Sequence, residues 1–427
     1  MRLEIPTPSL VLLVGPSGCG KSTFARTHFR ETEVVSSDRC RALVSDDEAD
    51  QSATRAAFEV LHLIVAKRLE RCRLTVVDAT NVHPDARRPL LELARRAHLP
   101  CVAIVLDLPV PTCAARNAAR VERVVGEEVV RRQWEQLHKS LGTLAHEGFR
   151  RVWVLRPDTP AAEVAVARVP LPVDRRYEAG PFDVVGDVHG CADELEALLD
   201  ALGYARDAAG VYRHPTRRLA FVGDLVDRGP RVPDVLRVAM DAADAGAAFC
   251  VPGNHDAKLV KKLHGRPVQV THGLAESLEQ LAHEPAAFAA RVAAFLDGLP
   301  SHLVLDGGRL VIAHAGMKAS LVGRDSPRVR DFALYGETTG ETDQYGLPVR
   351  LDWAASYHGS ALVVYGHTPV AEPRWMHETV NVDTGCVFGG RLSALRWPER
   401  EVVSVPARRE YARSKRPFLP FHFETTA

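Results

Sequence analysis

Five short polar motifs occur in a fixed order in the second half of the sequence, and each directly follows an apolar run. They are GDVHG from Gly186, GDLVDRG from Gly223, GNHD from Gly253, AHAG from Ala313 and YGHTP from Tyr365. Polar side chains at the ends of buried strands are how α/β proteins build their sites. Carboxylate and amide oxygens mixed with imidazoles suit Mn, Fe, Zn or Ni better than Ca. The motifs therefore predict a centre at which two metal ions act on phosphate esters.

The residue types in these motifs also indicate which side chains would bind the ions. The predicted ligands are Asp187, His189, Asp224, Asn254, His314 and His367. The first three would hold one ion, and Asp224 with the last three would hold the other, so that the Asp224 carboxylate bridges the pair. We expect divalent transition metals, with Mn²⁺ first and Ni²⁺ as an alternative.

Four more polar residues lie within or near the same motifs. Arg228 is placed to hold phosphate oxygens through two parallel hydrogen bonds. His255 is predicted to protonate the leaving oxygen, with Asp227 orienting its ring; the alternative is a purely structural histidine. Asp383, in NVDTG, is either a carboxylate that orients a metal ligand or an ordinary turn residue.

Composition limits the classes of function. The 427 residues carry a formal net charge of zero, so any polyanionic substrate must be held locally rather than by an overall positive field. The length suggests two or three domains. The eight cysteines are scattered without a C-x-x-C pair, and no apolar run is long enough to span a bilayer. We expect reduced thiols, a cytoplasmic location and no membrane partner.

The first half of the chain contains a phosphate-binding loop. An apolar run at residues 10–14 leads into GPSGCGKS, which matches G-x-x-x-x-G-K-[ST] without a mismatch. Lys21 would reach the outer phosphates of ATP and the Ser22 hydroxyl would hold Mg²⁺. The predicted nucleotide-binding residues are Gly15, Ser17, Gly18, Gly20, Lys21, Ser22 and Thr23.

Two aspartates follow the next apolar runs of this half. Asp38 could take the proton from an incoming hydroxyl, with Arg41 beside it on the acceptor side, or could be the N-cap of the next helix. Asp78 could assist the Mg²⁺ or could hydrogen-bond the phosphate loop. The first reading of Asp38 distinguishes a phosphotransferase from a plain NTPase.

An arginine-rich stretch further on predicts a lid over the phosphate loop. Arg116, Arg120 and Arg123 share one helix face, where they could neutralise charge on a transferring phosphoryl group. A solvated helix face is the alternative.

Domain boundaries follow from the pattern of strands, helices and prolines. Apolar strands alternate with helices over residues 1–160, which predicts a P-loop domain built on a parallel sheet. Residues 161–180 contain recurring prolines and are predicted to be a linker. Residues 181–427 would form the metal-dependent phosphoesterase domain.

The second domain resembles the calcineurin-like metallophosphoesterase superfamily in GDVHG, GDLVDRGP, GNHD, AHAG, YGHTP and NVDTGCVFGG. The first resembles the P-loop polynucleotide kinases, and together they resemble the bacterial polynucleotide kinase-phosphatase family of RNA end-healing enzymes. The resemblance implies an α/β β-sandwich with flanking helices for the second domain. It implies ATP-dependent phosphorylation of 5′-hydroxyl ends, with Asp38 as base and Arg120 or Arg123 in the lid. It also implies removal of 3′-phosphate or 2′,3′-cyclic phosphate ends.

The substrate implied by this resemblance is a broken polynucleotide, RNA rather than DNA, with a 5′-hydroxyl and a 3′-phosphate. Family members usually continue into a ligase domain with a K-x-D-G motif, which is lacking here, so the chain is either a natural two-domain version or truncated, and sealing would need a separate ligase. The alternative function is a dinucleoside-polyphosphate or protein phosphatase with an accessory or regulatory ATP-binding domain. The phosphoesterase motifs alone do not separate these substrates.

Overall fold

Residues 1–119, 125–158 and 163–416 are described by the computed structural model and divide into two units. The first unit contains residues 1–171 with residues 324–326, and the second contains the rest of the chain from Pro172. Among the described residues, no helix combines the length and the apolar character needed to cross a bilayer.

The first unit alternates strands and helices. Its elements are β1 (Arg2–Thr7), β2 (Leu10–Val14), α1 (Lys21–His28), β3 (Val34–Ser36), α2 (Ser37–Ser45), α3 (Thr54–Glu70), β4 (Thr75–Asp78), α4 (Pro84–Arg96), β5 (Cys101–Leu106), α5 (Val110–Ala118), α6 (Glu127–Leu141), β6 (Arg151–Leu155) and β7 (Ala165–Pro170).

Five of these strands form one parallel sheet in the order β3-β4-β2-β5-β6. Strand β2 is central and all of its five residues are buried, which is why its sequence is a continuous apolar run. The phosphate loop leaves the carboxyl end of this strand and leads into α1. The predicted parallel P-loop sheet is confirmed.

A second pair of strands lies apart from this sheet. Strand β1 pairs in parallel with β7 in the register Leu3 to Val166 and Ile5 to Arg168. Strand β7 comes from the stretch predicted as a linker, and the side chains of Leu3 and Ile5 are fully buried in the core of the first unit.

The second unit contains two larger sheets, two hairpins and six helices among its described residues. The elements are β8 (Asp174–Arg175), β9 (Phe182–Val185), α7 (Ala192–Leu202), β10 (Ala205–Arg206), β11 (Tyr212–Arg213), β12 (Arg218–Phe221), α8 (Val232–Asp244), β13 (Ala248–Cys250), α9 (Asn254–Leu263), α10 (Leu274–Ala282), α11 (Ala286–Asp297), β14 (Leu303–Leu305), β15 (Leu310–Ile312), α12 (Pro327–Tyr335), β16 (Thr338–Thr342), β17 (Pro348–Arg350), β18 (Leu362–Tyr365), β19 (Arg374–Met376), β20 (Thr379–Asn381), β21 (Arg391–Trp397) and β22 (Glu401–Pro406).

The two sheets pack face to face. Their strand orders are β13-β12-β9-β21-β22 and β19-β20-β18-β15-β14-β8. One apolar core joins them, with Phe182 and Leu395 from the first sheet against Leu303 and Val364 from the second. This arrangement is a β-sandwich, because each sheet buries an apolar face against the other.

Helices cover the outer faces of this sandwich. Helices α7 and α8 pack on the five-stranded sheet around Leu195, Leu199 and Leu236, and α12 packs on the other sheet through Val329 and Phe332. The predicted α/β fold, a sandwich with flanking helices, is confirmed. Its rigid strands position the five polar motifs.

Candidate metal centre

Each polar motif places its predicted ligands two to four residues after a strand of the second unit ends. Asp187 follows β9, Asp224 follows β12 and Asn254 follows β13, three parallel neighbours in one sheet. His314 follows β15 and His367 follows β18, two parallel neighbours in the other. Because parallel neighbours end at the same edge of a sheet, the two sheets bring these side chains together from opposite sides.

Two glycines allow the carboxylates to lie against the backbone. A Cβ atom at Gly253 would lie 2.0 Å from Oδ1 of Asp224, and one at Gly366 would lie 2.0 Å from Oδ1 of Asp187. Any larger residue would displace the carboxylate. The glycines in GNHD and YGHTP are therefore part of the site.

The side chains converge in two groups that could hold metal ions. His189, Asp224 and His255 form one, and Asp224, His314 and His367 form the other, with the ligand atoms of each group within 4.8 Å of one another. Asp224 belongs to both. Its Oδ2 lies 3.4 Å from Nε2 of His189 and 3.5 Å from Nε2 of His314.

Hydrogen bonds define which ring nitrogens face the site. Arg228 donates to Nε2 of His189 at 2.7 Å, so Nδ1 carries the proton and donates to the carbonyl oxygen of Val226 at 2.7 Å. His314 has the same arrangement, with Nδ1 3.2 Å from the carbonyl oxygen of Val222. Backbone carbonyls thus orient both rings so that the Nε2 lone pairs face the centre, as metal-binding histidines require.

The second group brings several possible metal-binding atoms close together. Nε2 of His314 lies 2.9 Å from Oδ1 of Asn254 and 2.9 Å from Nδ1 of His367. Burial lowers the pKa of His314 to about 3, so its ring is neutral. Among the described atoms, the buried Nε2 of His367 and Oδ1 of Asp187 have no hydrogen-bond partner. These atoms fit a cation.

Buried negative charge supports the same conclusion. Burial and the neighbouring carboxylates of Asp383 and Asp224 raise the pKa of Asp187 well above its usual range. Burial and Asp256 do the same for Asp224. Carboxylates that repel one another in a water-poor site need positive charge to remain ionised. Two divalent ions would supply it.

The predicted ligand sets placed Asp187 with His189 and Asp224 at one ion, and its observed contact is with a different residue. Its Oδ2 accepts the backbone N–H of His367 at 3.0 Å, so it lies on the His367 side of the centre. His255 instead joins His189 and Asp224. All six predicted ligands lie at this centre, and their division between two ions stays a prediction.

Arg228 connects the metal ligands to His255. Its two terminal nitrogens donate to Nε2 of His189 and, at 2.9 Å, to Nε2 of His255. Because guanidinium only donates, His255 carries its proton on Nδ1 and donates it to Oδ2 of Asp227 at 2.6 Å. Burial and then Arg228 lower the pKa of His255 well below its usual range.

Two residues without a predicted role hold this chain of contacts: Ser277, which lies outside every motif, and Asp256, the last residue of GNHD. The hydroxyl of Ser277, in α10, donates to Oδ1 of Asp227 at 2.6 Å and accepts the backbone N–H of Asp227 at 2.9 Å. Asp256 accepts the backbone N–H groups of Leu225 and Gly253. Ser277 is 50 residues from Asp227 in sequence, and nothing near it marks the role.

Asp383 makes the turn contact of its alternative interpretation, and its role in orienting a metal ligand stays a prediction. Its Oδ1 accepts the N–H of Gly385 at 3.0 Å, as a turn aspartate would. Burial also raises its pKa to about 6, and its charge acts on Asp187. The turn therefore places a carboxylate beside a predicted metal ligand.

The phosphate loop of the first unit has the expected form. Lys21 begins α1, and its Nζ donates to the carbonyl oxygens of Gly15 and Pro16 at 2.8 and 2.9 Å. The backbone N–H of Ser17 donates to Oε1 of Gln133, from α6, at 2.8 Å. The remaining predicted nucleotide-binding residues lie in this loop or in the first turn of α1.

Asp38 lies in the first turn of α2 and is not its N-cap, since Ser36 has that position. Its Oδ1 accepts a hydrogen bond from Nη1 of Arg41 at 2.7 Å, and the same nitrogen donates to the carbonyl oxygen of Glu48. The buried Arg41 side chain thus orients the half-buried Asp38 carboxylate.

The predicted arginine lid over the phosphate loop is described only in part. Arg120 and Arg123 lie outside the described residues, whereas Nη1 of Arg116 is 3.7 Å from the Cβ position of Gly20 and so lies over the loop. On the other side of the loop, the N–H of Gly15 donates to the carbonyl oxygen of Thr80. The side-chain amide of Asn81 donates to the carbonyl oxygen of Leu13. Asp78, at the end of β4, lies two residues before these contacts.

Comparison with known proteins agrees with this division of the chain. The AAA domain family matches residues 10–144 and the calcineurin-like phosphoesterase family matches residues 180–384. Three relatives named bis(5′-nucleosyl)-tetraphosphatase PrpE [asymmetrical] are similar to the second unit. They come from Anoxybacillus flavithermus (47% identity over 245 residues), Bacillus subtilis (46% over 238) and Halalkalibacterium halodurans (48% over 239).

These matches cover 55–56% of this chain and 97–99% of the relatives. Their names favour the alternative substrate class over the polynucleotide ends that the motif resemblance implied. The first unit is a P-loop nucleotide-binding domain. The chain, through its second unit, belongs to the calcineurin-like phosphoesterase family.

Proposed function

We propose that the second unit hydrolyses dinucleoside polyphosphates in a reaction that depends on divalent metal ions. The observation that carries the proposal is the Asp224 carboxylate, which is shared by two groups of possible ligands. Relatives that align over nearly their whole length are named for this substrate class. Bound ions would supply Lewis-acid polarisation of the phosphoryl group.

The protein's own side chains would position the phosphate and move the proton. Arg228 directs two N–H groups toward the centre, where they donate to His189 and His255. When a phosphate binds, the same two N–H groups could donate to two of its oxygens instead. His255 would then lose its contact with Arg228, and its Nε2 would be free to face the leaving oxygen. The Asp227 carboxylate stabilises the protonated ring, which can donate to the leaving oxygen.

The test is hydrolysis of diadenosine tetraphosphate by the full chain with Mn²⁺. We expect ATP and AMP as products, resolved by anion-exchange chromatography. Asp224→Asn should abolish turnover, whereas Asp200→Asn, an exposed residue at the end of α7, should not. If p-nitrophenyl phosphate is hydrolysed but the tetraphosphate is not, the substrate class is wrong.

A second candidate is supported by one observation in the first unit. The Asp38 carboxylate is held by buried Arg41 just after β3, at the edge of the sheet from which the phosphate loop leaves β2. A carboxylate there is suited to deprotonate an acceptor hydroxyl facing the γ-phosphate. We propose that this unit transfers phosphate from ATP to the 5′-hydroxyl of a polynucleotide, and that the second unit can also clear 3′-phosphate ends.

Both ends of one broken strand can be followed together. An RNA with a 5′-hydroxyl and a labelled 3′-phosphate is incubated with γ-labelled ATP, Mg²⁺ and Mn²⁺, with the same sequence as DNA in parallel. Asp38→Asn should block only the 5′ gain, and Asp187→Asn only the 3′ loss. Binding of ATP without any transfer to the strand would refute the kinase proposal.

A further inference from the structure

The metal centre lies at the floor of a cavity of about 770 Å³ within the second unit. Three segments that contain no metal ligand form its walls, at residues 271–276, 347–350 and 411–416. The volume falls within the range of about 300–1,000 Å³ typical of small-molecule sites. The cavity therefore has room for a ligand much larger than one phosphate.

The walls carry mostly positive charge. Arg350, Arg413, Lys415 and Arg416 line them, and Arg228 lies at the floor. Apart from the aspartates of the metal centre, Glu276 is the only acidic residue among the described lining residues. Since the chain as a whole has no net charge, this concentration of cations is local.

Lys415 acts on His272, another residue of the walls. It is among the charges that lower the pKa of that ring, after burial and Lys258, and Arg228 acts on the same ring. The positive charges of the wall and the floor therefore lie close to one another.

The wall at 411–416 is anchored in place. Oε1 of Glu194 accepts the Tyr411 hydroxyl at 2.8 Å and the N–H of Arg408 at 2.9 Å. The N–H groups of Tyr411 and Ala412 both donate to the carbonyl oxygen of Val387 at 3.0 Å. A segment whose backbone is already positioned binds a ligand with a smaller ordering cost on association.

The cations of the walls differ in what they already contact. Arg416 pairs with Asp343, and Arg350 donates to the carbonyl oxygen of Tyr335. Arg413 and Lys415 make no side-chain hydrogen bond or ion pair with any described residue. Their charges are therefore available to an anionic ligand.

We propose that Arg413 and Lys415, supported by Arg350 and Arg416, bind the phosphates of a nucleoside polyphosphate chain that lie beyond the one held at the metal centre. This inference rests on the proposed hydrolysis of dinucleoside polyphosphates and identifies the residues that select a chain over a single phosphate. A polyphosphate places several negative charges within one small cavity, whereas a nucleic-acid strand continues beyond it.

Steady-state kinetics of the full chain with Mn²⁺ test the proposal. The double variant Arg413→Ala/Lys415→Ala is compared with Arg266→Ala/Lys262→Ala, which removes the same charges from exposed residues that do not line the cavity. We expect the ratio of KM for diadenosine tetraphosphate to KM for p-nitrophenyl phosphate to rise ~10-fold in the first variant only. Equal changes for both substrates, or none, would overturn the proposal.

Inhibition by inorganic tripolyphosphate separates this inference from the proposed function. With p-nitrophenyl phosphate as reporter and Mn²⁺ in excess, only binding at the second unit registers. The inhibition constant for tripolyphosphate relative to orthophosphate should rise ~10-fold in Arg413→Ala/Lys415→Ala, even if the tetraphosphate is not a substrate. If the variant weakens only a 3′-phosphorylated oligonucleotide, the wall binds a strand and the polyphosphate proposal fails.

Discussion

The Nδ1 atom of His255 lies 2.6 Å from Oδ2 of Asp227, and both side chains are buried. This contact predicts that Asp227→Asn lowers kcat for phenyl phosphate ~100-fold, because the neutral amide no longer stabilises the protonated ring and the strongly basic phenolate leaves poorly without a proton. Hydrolysis of p-nitrophenyl phosphate should fall much less, since its leaving group needs no proton. The measurement is kcat for both substrates at pH 8.

Ser277→Ala serves as the graded control for this prediction, because Ser277 touches Asp227 and not His255. We expect a fall of ~10-fold or less in kcat for phenyl phosphate. Equal losses for both substrates in Asp227→Asn would show that Asp227 maintains the site rather than proton transfer.

Asp224 is predicted to reduce the stability of the metal-free protein. Its carboxylate is buried among other carboxylates, so Asp224→Asn should raise the melting temperature in EDTA. In wild type, Mn²⁺ at about 100 times its dissociation constant should add about 2.7 kcal/mol to the stability of the unit that binds it. Scanning calorimetry with and without Mn²⁺ measures both effects.

The metal-dependent shift should be absent in Asp224→Asn and intact in Asp200→Asn. A variant that melts lower than wild type in EDTA would contradict the repulsion argument, and a retained Mn²⁺ shift would contradict the shared-ligand assignment.

Gly366 is predicted to be required for the position of Asp187. In Gly366→Ala the new methyl group would lie 2.0 Å from Oδ1 of Asp187, so the carboxylate must move. We expect metal-dependent hydrolysis to fall by ~100-fold or more while the far-ultraviolet circular dichroism is retained. Gly142→Ala, which meets no atom within 4 Å, should keep full activity. Wild-type turnover in Gly366→Ala would mean that Asp187 is not needed at the centre.

A buried ion pair supports the phosphate loop of the first unit. The fully buried Arg87 makes two hydrogen bonds to Glu147, at 2.7 and 2.5 Å, and one to the carbonyl oxygen of Asn81. Glu147→Ala should cost about 3–5 kcal/mol in unfolding free energy, because it leaves the guanidinium buried without its partner. Urea titration measures the loss of unfolding free energy.

The control for this pair is Asp85→Ala, which removes the exposed partner of Arg88 and should cost less than about 1 kcal/mol. ATP affinity should also fall in Glu147→Ala, since Asn81 donates to the carbonyl oxygen of Leu13 in the strand before the loop. Similar stabilities of the two variants would contradict the burial argument.

The sequence alone determined what depends on neighbours along the chain. A buried strand needs an apolar run and a phosphate loop needs glycines at fixed spacing, and both are visible over residues 10–22. For that reason the parallel sheet and the phosphate loop could be predicted from the sequence. The six candidate metal ligands could be predicted from their motifs in the same way. The sandwich was expected from the family resemblance of those same motifs.

Only the tertiary structure decided how distant segments meet at the centre. It places Ser277 under Asp227, Asp187 beside His367, and Lys415 on the wall of the metal-site cavity. None of these relationships has a local signal, because they arise when two sheets and the segments around them pack together. Packing brings residues close regardless of their separation in sequence, and so these parts of the site could not be predicted from it.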